Sequence, residues 1–269
     1  MLRVCLAGVT GWTAPPLVAA LADADDLQLV AGVARRAAGR GLADVTGLPL
    51  DGTVHGSVSA ALADTPVDVL VDFTSAEAVG GNVRSAVEVG VHVVVGSSGL
   101  TAADYDEIDR LARRHGVGVV AAGNFSVMAA VLRRAALLAA EHLDRWEVID
   151  YASHAKPDVP SGTARELAEM IAGVRRPRPA VPLEDLHGPV EARGADVEGT
   201  RVHSIRLPSF VVSTEIVFGG AGERLVVRHD AGETPDPYVA GTLLAIRRVA
   251  EEPGLRRGLD TLLFSGPGA

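Results

Sequence analysis

An apolar run from Leu2 to Ala7 breaks at Gly8-Val9-Thr10-Gly11-Trp12-Thr13 and passes directly into helical spacing over Ala14–Ala22. A buried strand, a glycine turn and a helix, in that order, leave few architectures open, because a strand followed at once by a packed helix must return as a parallel neighbour. The pattern repeats. Apolar runs at 27–33, 67–73, 91–95 and 117–121 predict strands, with helical stretches at 75–89 and 102–115 between them. Pro15 and Pro16 fall in the first turn of the first helix, where proline is tolerated. Hydrophobic residues make up 48% of the chain but aromatics only 4%, so Val, Ala and Leu must fill the core. That supply suits a parallel sheet covered by helices. Residues 1–126 therefore read as a Rossmann-type, doubly wound α/β domain.

The pattern changes after residue 126. A long Ala/Leu-rich helix is predicted over 127–142, a strand over 147–151, a helix over 163–171 and a Pro/Arg/Gly-rich loop over 173–196. Strands at 202–207, 211–218 and 224–229 follow, the last two joined by a turn at Gly219-Gly220-Ala221-Gly222. Consecutive strands imply a mixed or antiparallel sheet, so residues 127–236 are assigned to a second, α+β domain. A C-terminal helix, within 237–269, is expected to pack back on the first domain.

The glycine turn is placed to bind a dinucleotide. Glycines let backbone N–H groups approach a pyrophosphate, and the following helix start adds positive dipole. The spacing, Gly-x-x-Gly-x-x-Ala, is looser than the usual Gly-x-Gly-x-x-Gly, and its position after the first strand is what gives it weight. An NAD-selective site places an acid at the end of the second strand to hold the ribose 2′-hydroxyl. Here Ala34 stands there, followed by Arg35 and Arg36, two cations suited to a 2′-phosphate. NADPH is the expected cofactor, with NADH possible.

Other classes are disfavoured. A net charge of −9 argues against nucleic acid or an anionic membrane as partner. One cysteine, Cys5, permits no internal disulfide, and the chain enters a strand at once with no signal-peptide pattern, so a cytoplasmic location is expected. The histidines show no metal-ligand spacing, and there is no Gly-x-Ser-x-Gly elbow.

Several further segments resemble the dihydrodipicolinate reductases of bacterial lysine synthesis. Asp68–Thr74 is similar to the family's third-strand motif, Gly96-Ser97-Ser98-Gly99 to its Gly-Thr-Thr-Gly, and Ala122-Gly123-Asn124-Phe125-Ser126 to its Ala-Pro-Asn-Phe-Ser. By that resemblance, Gly8, Thr10, Gly11, Trp12, Thr13, Arg35, Arg36, Phe73, Thr74, Gly96, Ser97, Ser98, Ala122, Asn124 and Phe125 form the cofactor site. Lys156-Pro157-Asp158-Val159-Pro160-Ser161-Gly162-Thr163-Ala164 resembles the Lys-x-Asp-Ala-Pro-Ser-Gly-Thr-Ala substrate motif, and 202–208 and 218–229 resemble later strands. The resemblance implies NAD(P)H-dependent reduction of dihydrodipicolinate to tetrahydrodipicolinate in the diaminopimelate route, by a homotetramer, with residues 127–236 as its substrate-binding and oligomerisation domain.

Such a substrate is a cyclic imine bearing two carboxylates. It calls for anion holders, a cation near the developing charge and an acid. Ser161, Gly162 and Thr163 begin a helix, with Thr163 and Glu166 at capping-box spacing, and offer backbone N–H groups to a carboxylate. Lys156 supplies the cation. Where the family has His-His-x-x-Lys, this chain has Ala152 and Ser153, with His154 the nearest imidazole. Two readings stand: His154 gives the proton from a shifted position, or Lys156 or water does, with Ser153 hydrogen-bonding the substrate. The altered pair also leaves open a related reductase acting on another cyclic imine or enamine carboxylate, and a non-catalytic NADP-binding sensor.

Overall fold

A computed structural model describes residues 1–264 of the chain. These divide into two compact units, Met1–Val127 together with the described residues from Thr234 on, and Met128–Glu233.

In the first unit the elements run β1 (Leu2–Ala7), α1 (Ala14–Ala22), β2 (Leu27–Val33), α2 (Leu42–Thr46), β3 (Thr53–His55), α3 (Val58–Asp64), β4 (Val69–Asp72), α4 (Ala76–Glu88), β5 (His92–Val95), α5 (Ala102–His115) and β6 (Gly118–Ala121). The strands form a seven-stranded, wholly parallel sheet with the seventh strand supplied from the C-terminal segment. Its order runs outward from β1 in both directions, through β2 to β3 on one side and through β4, β5 and β6 on the other. Ligands of open α/β sheets bind at such a reversal, beyond the strand carboxyl ends. The central strands are buried on both faces, as β4 shows at every position, and so read as unbroken apolar runs. On one side Val58, Val79, Val83 and Ile108 of α3, α4 and α5 pack against Leu70, Val93 and Val119.

The second unit holds α6 (Val127–His142, entered at the unit boundary), β7 (Trp146–Ala152), α7 (Gly162–Val174), β8 (Ala195–Val197), β9 (Thr200–Arg206), β10 (Val212–Gly219) and β11 (Arg224–Asp230). Its sheet has the order β11-β10-β7-β9-β8, with β7 and β9 parallel and the other pairs antiparallel. In β7 buried and half-buried residues alternate strictly. One face, with Trp146, Val148, Ile216 and Phe218, packs on Leu132, Ala136, Leu167 and Ile171 of the two helices. The other carries Glu147, Ile149, Tyr151 and Val217. Part of it lies under the Pro/Arg segment, where Pro179, Val181 and Leu183 help to line a cleft of about 890 Å³.

Three expectations need correction. The Pro/Arg-rich stretch is not featureless: it contains short 3₁₀ turns at Leu183–Asp185 and Val190–Arg193 and the start of β8. The C-terminal segment is more than a helix. After α8 (Pro237–Arg248) come a 3₁₀ turn, strand β12 (Gly254–Arg257), which joins the first sheet beside β6, and the short α9 (Asp260–Leu263). The remainder of the expected 237–269 helix lies outside the described residues. Finally, α2, β3 and α3 occupy a stretch for which the sequence predicted no element.

Candidate functional site

The glycine turn in the first unit is shaped by close backbone approach. Gly8 has φ +91°, and a Cβ there would stand 2.2 Å from the Phe73 carbonyl oxygen. Only glycine lets the ends of β1 and β4 come this close. The Gly11 N–H donates to the Gly8 carbonyl at 2.7 Å, and the Ala14 N–H to that of Gly11 at 3.1 Å. Pro15 and Pro16 have no N–H to offer, and no side chain caps α1. The expectation that the helix start supplies the anion donors therefore shifts to the turn. Among the described residues the N–H groups of Thr10, Trp12 and Thr13 have no backbone acceptor, and with the two threonine hydroxyls they form the available donor set. Trp12 is 55% exposed and meets the Tyr238 ring edge-on, centroids 6.0 Å apart. Arg35 and Arg36 lie exposed on a 3₁₀ turn directly after β2, with Ala34 before them and no acid paired to either among the described residues.

The loops after β4, β5 and β6 gather the other expected cofactor residues. Asp72 is fully buried at the end of β4. Its Oδ1 accepts from the Ser97 hydroxyl at 2.6 Å, the Thr74 hydroxyl at 2.7 Å and the Thr74 N–H at 3.1 Å, and its Oδ2 from the Asn82 amide at 2.8 Å. The Phe73 and Phe125 rings meet at 5.8 Å in an edge contact, and Gly96 admits the Phe73 ring where a Cβ would collide with it. Asn124 turns its Oδ1 back to the Ser126 N–H at 2.8 Å, while Ala122 is buried beside it and Ser98 exposed. Sequence reasoning chose Thr74 and Ser97 but missed Asp72 and Asn82, which hold them. An acid closing an otherwise apolar buried run was the available signal.

In the second unit the expected substrate motif, Lys156–Ala164, runs from the loop after β7 into the start of α7. Ser161 caps α7, its hydroxyl accepting from the Ala164 N–H at 3.3 Å. This corrects the expected cap at Thr163. Thr163 lies inside the first turn, and Glu166 pairs with Arg133 at 3.2 Å instead of closing a capping box. Ser161 is also buried, and its hydroxyl donates to Asp150 at 2.6 Å, so it supports the loop rather than facing a ligand. Among the described residues the N–H groups of Gly162 and Thr163, in the first helical turn, have no backbone acceptor. Lys156 is about one-third exposed, its ammonium 2.9 Å from Asp158 Oδ1. Burial works against ionisation of Asp158 and is the largest influence, but the hydrogen bond and charge of Lys156, with Arg206 further off, hold its carboxyl below the usual range. Ser153 Oγ accepts from the Ala155 N–H at 3.3 Å, and His154 is exposed in the turn between them. None of these residues lines the cleft under the Pro/Arg segment.

Two family models tile the chain: residues 2–125 match the description "Dihydrodipicolinate reductase, N-terminus" and residues 125–263 "Dihydrodipicolinate reductase, C-terminus". The chain belongs to the dihydrodipicolinate reductase family. It is 37% identical to the 4-hydroxy-tetrahydrodipicolinate reductase of Moorella thermoacetica, covering 97% of this chain and 98% of that one. It is 36% identical to that of Mycolicibacterium gilvum, covering 97% and 99%. A dipicolinate-bound dihydrodipicolinate reductase from Paenisporosarcina sp. TG-14 superposes with a TM-score of 0.82 at 28% identity, over 97% of this chain and 99% of that one. An amine dehydrogenase from Mycobacterium smegmatis, at 18% identity and a TM-score of 0.67, shares the fold. Among the described residues no helix is long and apolar enough to cross a membrane, and no cluster of His, Cys, Asp and Glu could hold a metal ion.

Proposed function

We propose that the protein is an NAD(P)H-dependent oxidoreductase that reduces dihydrodipicolinate to tetrahydrodipicolinate in the diaminopimelate route to lysine. The observation that carries this reading is the Lys156–Thr163 loop, whose ammonium and open helix start suit a small dianion, within a chain that the two family models together match over residues 2–263.

A bound nicotinamide cofactor would supply the hydride. The donors of the Thr10–Thr13 turn would hold its pyrophosphate, and the Asp72 carboxylate holds Thr74 and Ser97 at the strand ends. The unpaired Arg35 and Arg36 beside Ala34 favour NADPH over NADH. At the substrate, Gly162 and Thr163 hold one carboxylate by their N–H groups, and Lys156 stabilises charge as hydride arrives. The proton comes from His154, or else from Lys156 or water; Ser153 hydrogen-bonds the substrate. Ile149, Tyr151 and Val217 leave a half-apolar sheet face, which supports assembly as a homotetramer. A lone buried Cys5 accords with a reducing, cytoplasmic setting.

The test couples the pure protein to dihydrodipicolinate synthase and follows NADPH oxidation. Rapid, substrate-dependent oxidation is expected; none by folded protein would overturn the proposal. Ala152 and Ser153, standing where the family has two histidines, favour as second reading a related reductase of another cyclic imine carboxylate. Turnover of such a compound with dihydrodipicolinate inert would select it. Cofactor binding without turnover of any imine would select a non-catalytic sensor.

A further inference from the structure

We infer that Asp150, acting with Ser204 and Arg206, is the positioning group that sets the Lys156–Thr163 loop in its ligand-binding shape without touching the ligand. This rests on the reading that the loop holds a dicarboxylate.

Asp150 lies in the middle of the second unit's sheet, on β7, with no exposed surface. A carboxylate there costs several kcal/mol unless donors surround it. Four do. Ser161 gives its hydroxyl to Oδ1 at 2.6 Å and its N–H to Oδ2 at 2.8 Å. From β9, Ser204 gives its hydroxyl to Oδ2 at 3.1 Å and Arg206 gives Nη2 to the same oxygen at 2.7 Å. Two donors thus belong to the strand beside β7 and two to the residue that begins α7. The carboxylate joins the rigid sheet to the helix start.

Arg206 extends the connection to the other half of the loop. The same Nη2 donates to the Asp158 carbonyl at 2.8 Å, while Nη1 reaches the Ile205 carbonyl at 3.0 Å. Its Nε is buried without a hydrogen-bond partner among the described residues, where the guanidinium is held through its two terminal nitrogens. Asp158 in turn takes the Lys156 ammonium on its side chain. One continuous path runs from Asp150 through Arg206 and Asp158 to Lys156, and another from Asp150 through Ser161 to Gly162 and Thr163. Both groups expected to grip the ligand are therefore aimed by one buried charge. Misplacement by about 1 Å at such a site costs roughly a hundredfold in rate.

A merely structural Asp150 would lower the melting temperature and leave the folded fraction with normal ligand constants. A positioning Asp150 changes those constants. The variants are Asp150→Asn, of the same shape without the charge, and Ser204→Ala, which removes one donor. Each is compared with wild type by three measurements: NADPH-dependent turnover of dihydrodipicolinate, calorimetric binding of pyridine-2,6-dicarboxylate, and hydrogen exchange of the loop amides. For Asp150→Asn the substrate KM and the dicarboxylate Kd should rise tenfold or more and kcat fall, with NADPH Kd within twofold. Exchange at Ser161 and Ala164 should accelerate tenfold or more while that at Val148 and Ile216 holds. Ser204→Ala should move in the same direction by twofold to fivefold, and decides the matter if Asp150→Asn does not fold. Folded variants with wild-type constants and wild-type exchange would overturn the inference. Inactive, folded wild-type protein would instead overturn the reading of the function, and the exchange measurement would still judge Asp150.

Discussion

The Ser97 hydroxyl stands 2.6 Å from the Asp72 carboxylate, tying the loop after β5 to the end of β4. With Thr74 and Asn82 on the same carboxylate, this contact makes a buried acid the support of the loops expected to meet the cofactor. Asp72→Ala would remove the shared acceptor of four hydrogen bonds from Ser97, Thr74 and Asn82, donors that are half-buried or exposed, each bond worth about 1 kcal/mol. A loss of roughly 3 kcal/mol in urea unfolding is expected, with NADPH affinity down at least tenfold in the folded protein. Ser97→Ala should cost about 1 kcal/mol. An Asp72→Ala protein with unchanged midpoint and affinity would show that these hydrogen bonds carry no load.

What the sequence made legible follows from how each element is buried. β1, α1 and β2 begin and end where the apolar runs and the glycine turn place them, because most positions of the two strands are buried and so carry apolar side chains. β12 was not legible. It is an edge strand of four residues, and Arg256 within it points its guanidinium to the Arg248 and Val249 carbonyls, so its composition reads as polar loop. Asp150 was hidden for the converse reason. In a strand that alternates buried and half-buried positions an acid reads as solvent-facing, and only the fold shows it turned inward onto Ser161 and Arg206. The helix cap was misplaced by two residues because Thr163 and Glu166 match a spacing, whereas Ser161 has the partner.

Arg35 and Arg36 carry the expected cofactor preference. A hydrogen bond to a charged group is worth about 1.5–3 kcal/mol, or about ten- to a hundredfold in affinity. The double substitution Arg35→Ala/Arg36→Ala should raise the NADPH Kd by that factor and change the NADH Kd by no more than about twofold. Equal losses for both cofactors, measured by fluorescence titration, would remove the 2′-phosphate from the account.

Lys156→Ala should lower kcat by about 10²–10³, the effect of removing one preorganised charge-stabilising donor, with NADPH affinity unchanged. Its companion, His154→Ala, separates the two proton sources. If the imidazole gives the proton, the rate falls by about 10²–10⁴ and a limb of the pH profile disappears. A wild-type rate and profile would assign the proton to Lys156 or water.

Cys5 sits inside β1, and burial, reinforced by the negative charge of Asp72, pushes its thiol up to about 12. The thiolate is the reactive form, so the native protein should resist a disulfide reagent at pH 8. One thiol per chain should react at the rate of unfolding in urea. Fast labelling of the folded protein would contradict the packing of β1.

Acid should weaken the first sheet through His92, whose Nδ1 accepts the Gly118 N–H at 2.9 Å where β5 meets β6. Burial lowers the pKa of this imidazole below 6.5, opposed by the charge of Asp68. His229, in the second unit, is lowered in the same way, with Asp230 opposing. For a depressed group the stabilising contribution is complete above the unfolded value. As pH falls below about 6.5 the unfolded chain takes up the proton first, so the folded state loses ground until its own histidines titrate. Unfolding free energies from urea titrations should therefore decline between pH 7.5 and 5.5. His92→Gln keeps an acceptor near Gly118 but cannot titrate, and its decline should be shallower than that of wild type. Parallel curves for the two proteins would mean that the half-buried imidazole does not sit against β6 as the acceptor of the Gly118 N–H.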